Sequence, residues 1–168
     1  MHLSSLNIMK DFVGRYLKDE HLRVLDLGSR IVGNQHSMGS YRDFFTNPKW
    51  KYTGADTAAG DNVDIVIEPY KFPFKDGEFD IVISGQTIEH MEFPWEWFRE
   101  VARVLKKDGL CCVIAPAVWH EHRYPIDTYR YYPDGMKALA KYSGLQALEV
   151  KRIRAGKTED TYLIARNP

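Results

Sequence analysis

Cysteine is nearly missing: the 168 residues hold two, and these are neighbours, Cys111 and Cys112. Successive residues of a strand point to opposite faces, so this pair is poorly placed to form a disulfide. Such sparse usage suits a reducing cytoplasm. An excess of either charge is missing too. Lys and Arg total 23, Asp and Glu total 23, and the formal net charge is zero. No global basic field exists to hold nucleic acid or an anionic membrane. Long apolar runs are also lacking. The longest, Leu110 to Trp119, is about half of the roughly 20 residues a membrane span needs, and Pro116 interrupts it. The N-terminus has no basic segment followed by an apolar block, so no signal peptide is expected. With no repeat, low-complexity tract or linker, residues 1–168 are expected to form a single domain.

What is present alternates. Apolar side chains at Leu3, Leu6, Met9, Phe12, Val13, Tyr16 and Leu17 predict a helix over residues 3–17. Arg23–Leu27 reads as a short buried strand, and residues 28–40 as a long loop. A short helix over Tyr41–Thr46 follows, closed by Asn47-Pro48. Strands are expected at Tyr52–Ala55, Val63–Ile67, Phe79–Ser84 and Leu110–Ala115, the last cut off by Pro116. Pro94–Leu105 reads as a helix, with Pro94 in its first turn and Gly109 just past its end. Pro133-Asp134 opens another, ending at Ser143-Gly144. Ala147–Ile153 and Thr161–Ala165 read as a closing strand pair. Such alternation predicts an α/β fold: a mostly parallel sheet covered by helices, with an antiparallel C-terminal edge pair. Ligands of such sheets sit beyond the carboxyl ends of the strands, at a topological switch point. Attention therefore falls on Asp26–Gly33, Asp56, Glu68, Ser84–His90 and Pro116–Arg130.

The first of these loops excludes two common nucleotide binders. Gly28 and Gly33 have the spacing of a phosphate-binding P-loop, but Asn34-Gln35 stand where Lys and Ser/Thr are required. Nor is Gly28–Gly33 the G-x-G-x-x-G dinucleotide fingerprint. Asp56 ends the second strand, where a carboxylate can accept both hydroxyls of a ribose, or simply hold its own turn. Glu68 can accept from an adenine amino group, or be an ordinary solvated glutamate.

The order of these segments resembles the class I S-adenosylmethionine-dependent methyltransferases, here of the small bacterial methyltransferase-domain kind. VLDLGS resembles the family's first motif and YTGAD its second strand end. FPFKDGEFDIVISGQTIEHM is the most specific match. FREVARVLKKDGLCCVIAP resembles the next helix and strand, and HEHRYPIDTYRYYPDGMKALAKYSGL a loop and helix of the small members. The resemblance implies a minimal Rossmann-like fold with helices on both faces of the sheet. Two departures stand out. Ser29-Arg30 replace part of the family's closely spaced glycines, and TAAGDN is too short for the usual crossover helix.

The resemblance implies S-adenosylmethionine as cofactor. Asp26, Gly28 and Ser29 would shape the loop beside its methionine part. Asp56 would hold the ribose, Glu68 and Pro69 with Tyr70 would line the adenine, and Ser84, Gly85 and Gln86 would lie near the sulfonium. For a hydroxyl acceptor a base near neutral pKa helps. The candidates are His90, His120, His122 and Asp127, although His90 can equally brace the fold. Trp119, Arg123, Tyr124 and Arg130 can wall an acceptor. Alternatively they form a structural lid whose arginines pair with Glu121 or Asp127. His120-Glu121-His122 is not the H-E-x-x-H metal motif, and a third ligand would have to come from His90 or Asp127, so no metal is expected. The expected activity is methyl transfer to a small molecule at oxygen. The alternative is a catalytically silent relative that works as a partner or scaffold subunit. No nucleic-acid or membrane partner is expected; a second copy or another protein is compatible with so small a pocket.

Overall fold

A computed structural model describes residues 3–33, 39–156 and 158–168. Helix α1 spans Leu3–Tyr16 and buries Leu6, Met9 and Phe12, the stripe its spacing predicts. Strands β1 (Leu22–Leu27), β2 (Trp50–Asp56), β3 (Ile65–Val66) and β4 (Phe79–Gly85) follow. Helix α2 (Pro94–Val104) then leads into β5 (Leu105–Val118). Helix α3 (Pro133–Tyr142) precedes the hairpin of β6 (Gln146–Ala155) and β7 (Thr158–Arg166).

The seven strands lie in the order β3-β2-β1-β4-β5-β7-β6. The first five pair in parallel, and β7 runs antiparallel to both β5 and β6. Alternation along the strands divides the core between the two faces. Leu25, Leu27, Val82 and Cys111 pack in one cluster with Trp97, Phe98 and Val101 of α2 and Met136 and Ala140 of α3. Val24, Ile81, Ile83 and Cys112 pack in the other, with Leu6, Met9 and Phe12 of α1. The neighbouring cysteines therefore serve opposite cores, and both are free thiols. The mixed α/β architecture with helices on both faces is the expected one.

Three elements differ from expectation. β3 keeps only Ile65–Val66, because Val63 and Asp64 are consumed by the preceding turn. There the Val63 amide donates to Gly60 O (3.2 Å) and the Asp64 amide to Gly54 O (2.8 Å). Residues 57–64 cross from β2 to β3 without a helix, so polar bonds hold this edge instead. The Asp64 carboxylate accepts from the Gly54 amide (2.7 Å) and from Arg42 (2.6 Å). The second difference is β5, which starts at Leu105 and runs through Pro116 to Val118. β4 ends at Gly85 opposite Ile114, so Pro116 has a strand on one side only, and a bulge follows it. A proline is tolerated at such an edge. The short helix at Tyr41 is a single 3-10 turn, Tyr41–Phe44. Part of the loop expected over 28–40 lies outside the described residues. No helix among the described residues is long and apolar enough to cross a membrane.

Candidate active site

The strand order reverses between β1 and β4, and the carboxyl ends of these strands diverge there. Gly28 ends β1 with a φ of 79°, a conformation that favours glycine. Its amide donates to Ala55 O of β2 (2.8 Å), and a side chain on it would collide with Thr87 from the far side of the crevice. Backbone is thus brought to the surface of a small cavity. Asp56, Pro69, Thr87, Met91 and Trp97 are among the residues that line it. Its volume is about 30 Å³, room for about one water molecule.

Asp56 does not stand free. One carboxylate oxygen accepts from the Arg30 amide (3.2 Å), and the other from the Ala58 amide (3.1 Å). The Arg30 guanidinium lies over it, with Nε 3.7 Å from Oδ1. Ser29 turns away from the crevice: its hydroxyl donates to Asn62 O (2.9 Å), and Asn62 Nδ2 donates back to Ser29 O (2.8 Å). Asp26 is buried under the strand ends and accepts from the Tyr52 hydroxyl; its other oxygen has no partner. Burial pushes its carboxyl up to about 7, against the lowering effect of that hydrogen bond.

Beyond β4 and β5 a second group of side chains converges. Glu89 is fully buried, and apart from its own backbone amide no donor reaches either carboxyl oxygen. Burial pushes its carboxyl up to about 8. His90 is held by Ile126 O, 2.6 Å from its Nδ1, and burial lowers its pKa. With the proton on Nδ1, Nε2 keeps its lone pair and lies 3.8 Å from Glu89 Oε1. The ring of His122 meets that of His90 edge-on at 4.9 Å, and Tyr124 packs against both. Asp127 clamps the loop. Arg130 donates to both of its oxygens (2.6 and 2.7 Å), and the His122 amide donates as well (2.6 Å). This bidentate pair holds the Asp127 carboxyl well below the usual range. The Thr128 amide and hydroxyl both donate to Glu89 O at 2.7 Å, so the loop after β5 is fastened over the turn after β4.

Known proteins share this fold. The methyltransferase-domain family matches residues 45–113. A solved S-adenosylmethionine-dependent methyltransferase from Aquifex aeolicus superposes with a TM-score of 0.73 at 18% identity, covering 99% of this chain and 94% of that one. The chain has the class I methyltransferase fold. The 1,6-didemethyltoxoflavin-N1-methyltransferase of Burkholderia thailandensis, solved with that compound and S-adenosylhomocysteine, also shares it. That TM-score is 0.73 at 12% identity, over 98% of this chain and 76% of that one. Among curated sequences, the chloroplastic 2-methyl-6-phytyl-1,4-hydroquinone methyltransferase 1 of Oryza sativa subsp. japonica is 28% identical over 104 residues. That match covers 60% of this chain and 29% of the rice protein, so the chain spans under a third of the curated relative it matches.

Within the methyltransferase fold, the residues singled out in the sequence fall into three groups. Gly28, Asp56 and Pro69 line the crevice, and His90, His122, Asp127, Arg130 and Tyr124 come together beside it. A second group serves the frame. Ser84 is buried and donates to Leu27 O (2.7 Å), Gly85 lies against the buried Tyr41, and Gln86 donates to Asp160 (3.0 Å). The third stands apart from the crevice. Glu68 is exposed and forms an isolated bridge with Lys71, leaving Ile67 and Pro69 to line the cavity. Arg123 pairs with Glu121 at the surface, and His120 stacks on Trp119 at 4.4 Å. Arg123 and Arg130 thus both have the carboxylate partners that the lid alternative specified.

Sequence reasoning did not single out Thr87, Met91 or the carboxylate of Glu89. Thr87 and Met91 sit in the turn after β4, two residues to either side of Glu89, so that turn's position was a usable signal.

Proposed function

We propose that this chain is an S-adenosylmethionine-dependent methyltransferase acting on a small molecule, at an oxygen atom. The observation that carries the reading is Asp56 at the end of β2, beside the switch-point crevice, in a chain matching the methyltransferase-domain family. The donor set fits the cofactor. Asp56 offers two acceptor oxygens to a ribose, Gly28 lets backbone approach the ligand, and Pro69, Met91 and Trp97 offer an apolar slot to a purine. When bound, the cofactor supplies a methyl group already activated by a sulfonium. The chain's own residues have to hold the acceptor in line and exclude water.

Opening the crevice requires Arg30 to leave Asp56. Its side chain is one third exposed, so this pair is worth only about 1 kcal/mol and the ribose hydroxyls can replace it. The acceptor side is the cluster beyond β4 and β5. There His90 and His122 stand where a hydroxyl would lose its proton, and Tyr124, packed on both, would wall the acceptor. Asp127 and Arg130 hold the loop in place rather than react. Zero net charge favours a small acceptor over nucleic acid. The whole unit acts as a single domain in the cytoplasm.

One observation favours a second reading, a catalytically silent relative: the small crevice with Arg30 laid across its acid. Incubation with S-adenosylmethionine and a panel of hydroxylated small molecules separates the two. Acceptor-dependent release of S-adenosylhomocysteine supports transfer. Cofactor binding without release from any acceptor supports the silent reading.

A further inference from the structure

We infer that Glu89, His90 and His122 form a binding site for one divalent transition-metal cation of the Zn²⁺ class. One ligand atom from each of the three lies within 4.8 Å of the others. Around an ion with bonds of about 2.0–2.2 Å, ligand atoms sit roughly 3.4 Å apart, so the ligand atoms need to close by up to about 1.4 Å.

The state of Glu89 points to a cation. Its carboxyl is fully buried, and beyond its own backbone amide no donor reaches either oxygen. To ionise there, a buried carboxyl needs a partner, because desolvating its charge without one is costly. The nearby cation, Arg130, does not serve, since both of its bonds to a carboxylate go to Asp127. The turn carrying Glu89 is meanwhile fastened by three bonds from Thr128, two to Glu89 O and one to Met91 O. The carboxylate is therefore held in place with its oxygens unmatched.

The histidines are arranged as metal-binding histidines are. Each has its Nδ1 engaged by an outer group: Ile126 O at 2.6 Å for His90, and His120 O at 3.1 Å with Asp127 Oδ2 at 3.5 Å for His122. This fixes the tautomer that leaves Nε2 unprotonated, and a carbonyl or carboxylate behind the ring raises its strength as a ligand. Two imidazoles and one carboxylate select Zn²⁺, Co²⁺ or Fe²⁺ over Mg²⁺, which prefers oxygen and water. Three protein ligands leave a coordination position open. Thr87 and Met91 flank Glu89-His90 in the chain and line the crevice, so the site borders it. Resting on the methyl-transfer reading, the open position would take the acceptor oxygen and lower its pKa so that its proton passes to solvent, with His90 and His122 then holding the ion instead of acting as bases. The site itself does not depend on that reading.

The sequence conceals this set. Glu89-His90 and His122 lie 32 residues apart, and the eye-catching His120-Glu121-His122 contributes one ligand rather than three.

The test is calorimetric titration of the untagged, chelator-stripped full chain with ZnCl₂, CoCl₂ and MgCl₂. One equivalent each of Zn²⁺ and Co²⁺ should bind, with no measurable heat for Mg²⁺. His122→Ala, in a loop at the surface and checked for folding by circular dichroism, should weaken Zn²⁺ binding by more than about 10–100-fold, the loss that removing an outer-shell partner alone can cause. Glu89→Gln should do the same. If Glu89→Gln does not fold, the visible spectrum of the Co²⁺-loaded wild type decides: bands of a low-coordinate cobalt site that vanish in His122→Ala support the assignment. No stoichiometric Zn²⁺ uptake by the wild type, or unchanged uptake by His122→Ala, overturns it. Titration of the same samples with S-adenosylhomocysteine separates the two readings: failure of the metal site leaves that binding intact, and failure of the methyltransferase reading leaves Zn²⁺ uptake intact.

Discussion

Arg30 and Asp56 bind each other twice, through the Arg30 amide at 3.2 Å and through its guanidinium, whose Nε lies 3.7 Å from the second oxygen. The amide bond shapes the loop and survives any change of side chain. The ionic contact is separable, and it lies where a ribose would have to bind. Arg30→Ala should therefore tighten S-adenosylhomocysteine binding, by roughly fivefold if the pair is worth about 1 kcal/mol. Calorimetry of wild type and variant checks this. Weaker binding in the variant would mean that Arg30 turns outward to hold the ligand.

Gly28 and Thr87 face each other across the crevice mouth, so their substitutions should couple. Gly28→Ala forces a positive φ on alanine and drives its Cβ into the Thr87 side chain. The two effects together should cost about 2–4 kcal/mol of stability. In a Thr87→Gly background the collision is gone and only the backbone strain remains, about 1–2 kcal/mol. Urea unfolding of the four proteins measures the coupling. Equal costs in both backgrounds would show that Thr87 is not the obstacle.

The Asp127–Arg130 clamp should give the loop after β5 a pH dependence. Arg130 lowers the Asp127 pKa in the folded chain relative to the unfolded one. A depressed carboxylate stabilises the fold fully above its ordinary value of 3.8, and that contribution is lost as the pH falls below it. Asp127→Asn should remove the bidentate pair at neutral pH, cost about 2–3 kcal/mol and flatten the acid limb of the stability curve. Thermal melts between pH 7 and about pH 3 report it. A variant with an unchanged acid limb would assign that limb to other carboxylates. Turnover should fall more than cofactor affinity, because the clamp positions the acceptor side.

Much of the fold was legible because its periodicities are strong. α1, α2, α3, β4 and the β6–β7 hairpin lie within a few residues of their expected bounds. β3 was overestimated because Val63–Ile67 has strand composition, while Asn62 at φ 70° and the Asp64 bonds spend half of it on a turn. Pro116 misled in the other direction, since sequence cannot show that β4 stops short of it. At the site, strand-end positions were readable and side-chain directions were not. Asp56 lines the crevice, whereas Ser84 bonds inward to Leu27 O and Glu68 is exposed to solvent. Glu89 lies in the stretch Ser84–His90 that the sequence points to, but it carries no sign of a role there, because burial is a property of the folded chain alone.

The most direct measurement is calorimetric titration of wild type and Asp56→Ala with S-adenosylhomocysteine, with NAD and ATP as controls. Removing the carboxylate takes away both ribose acceptors while the sheet keeps its core. The account predicts saturable binding of one equivalent to the wild type, none of the controls, and loss of binding in Asp56→Ala. A wild type that binds no S-adenosylhomocysteine, or a variant that binds it equally well, would contradict the account.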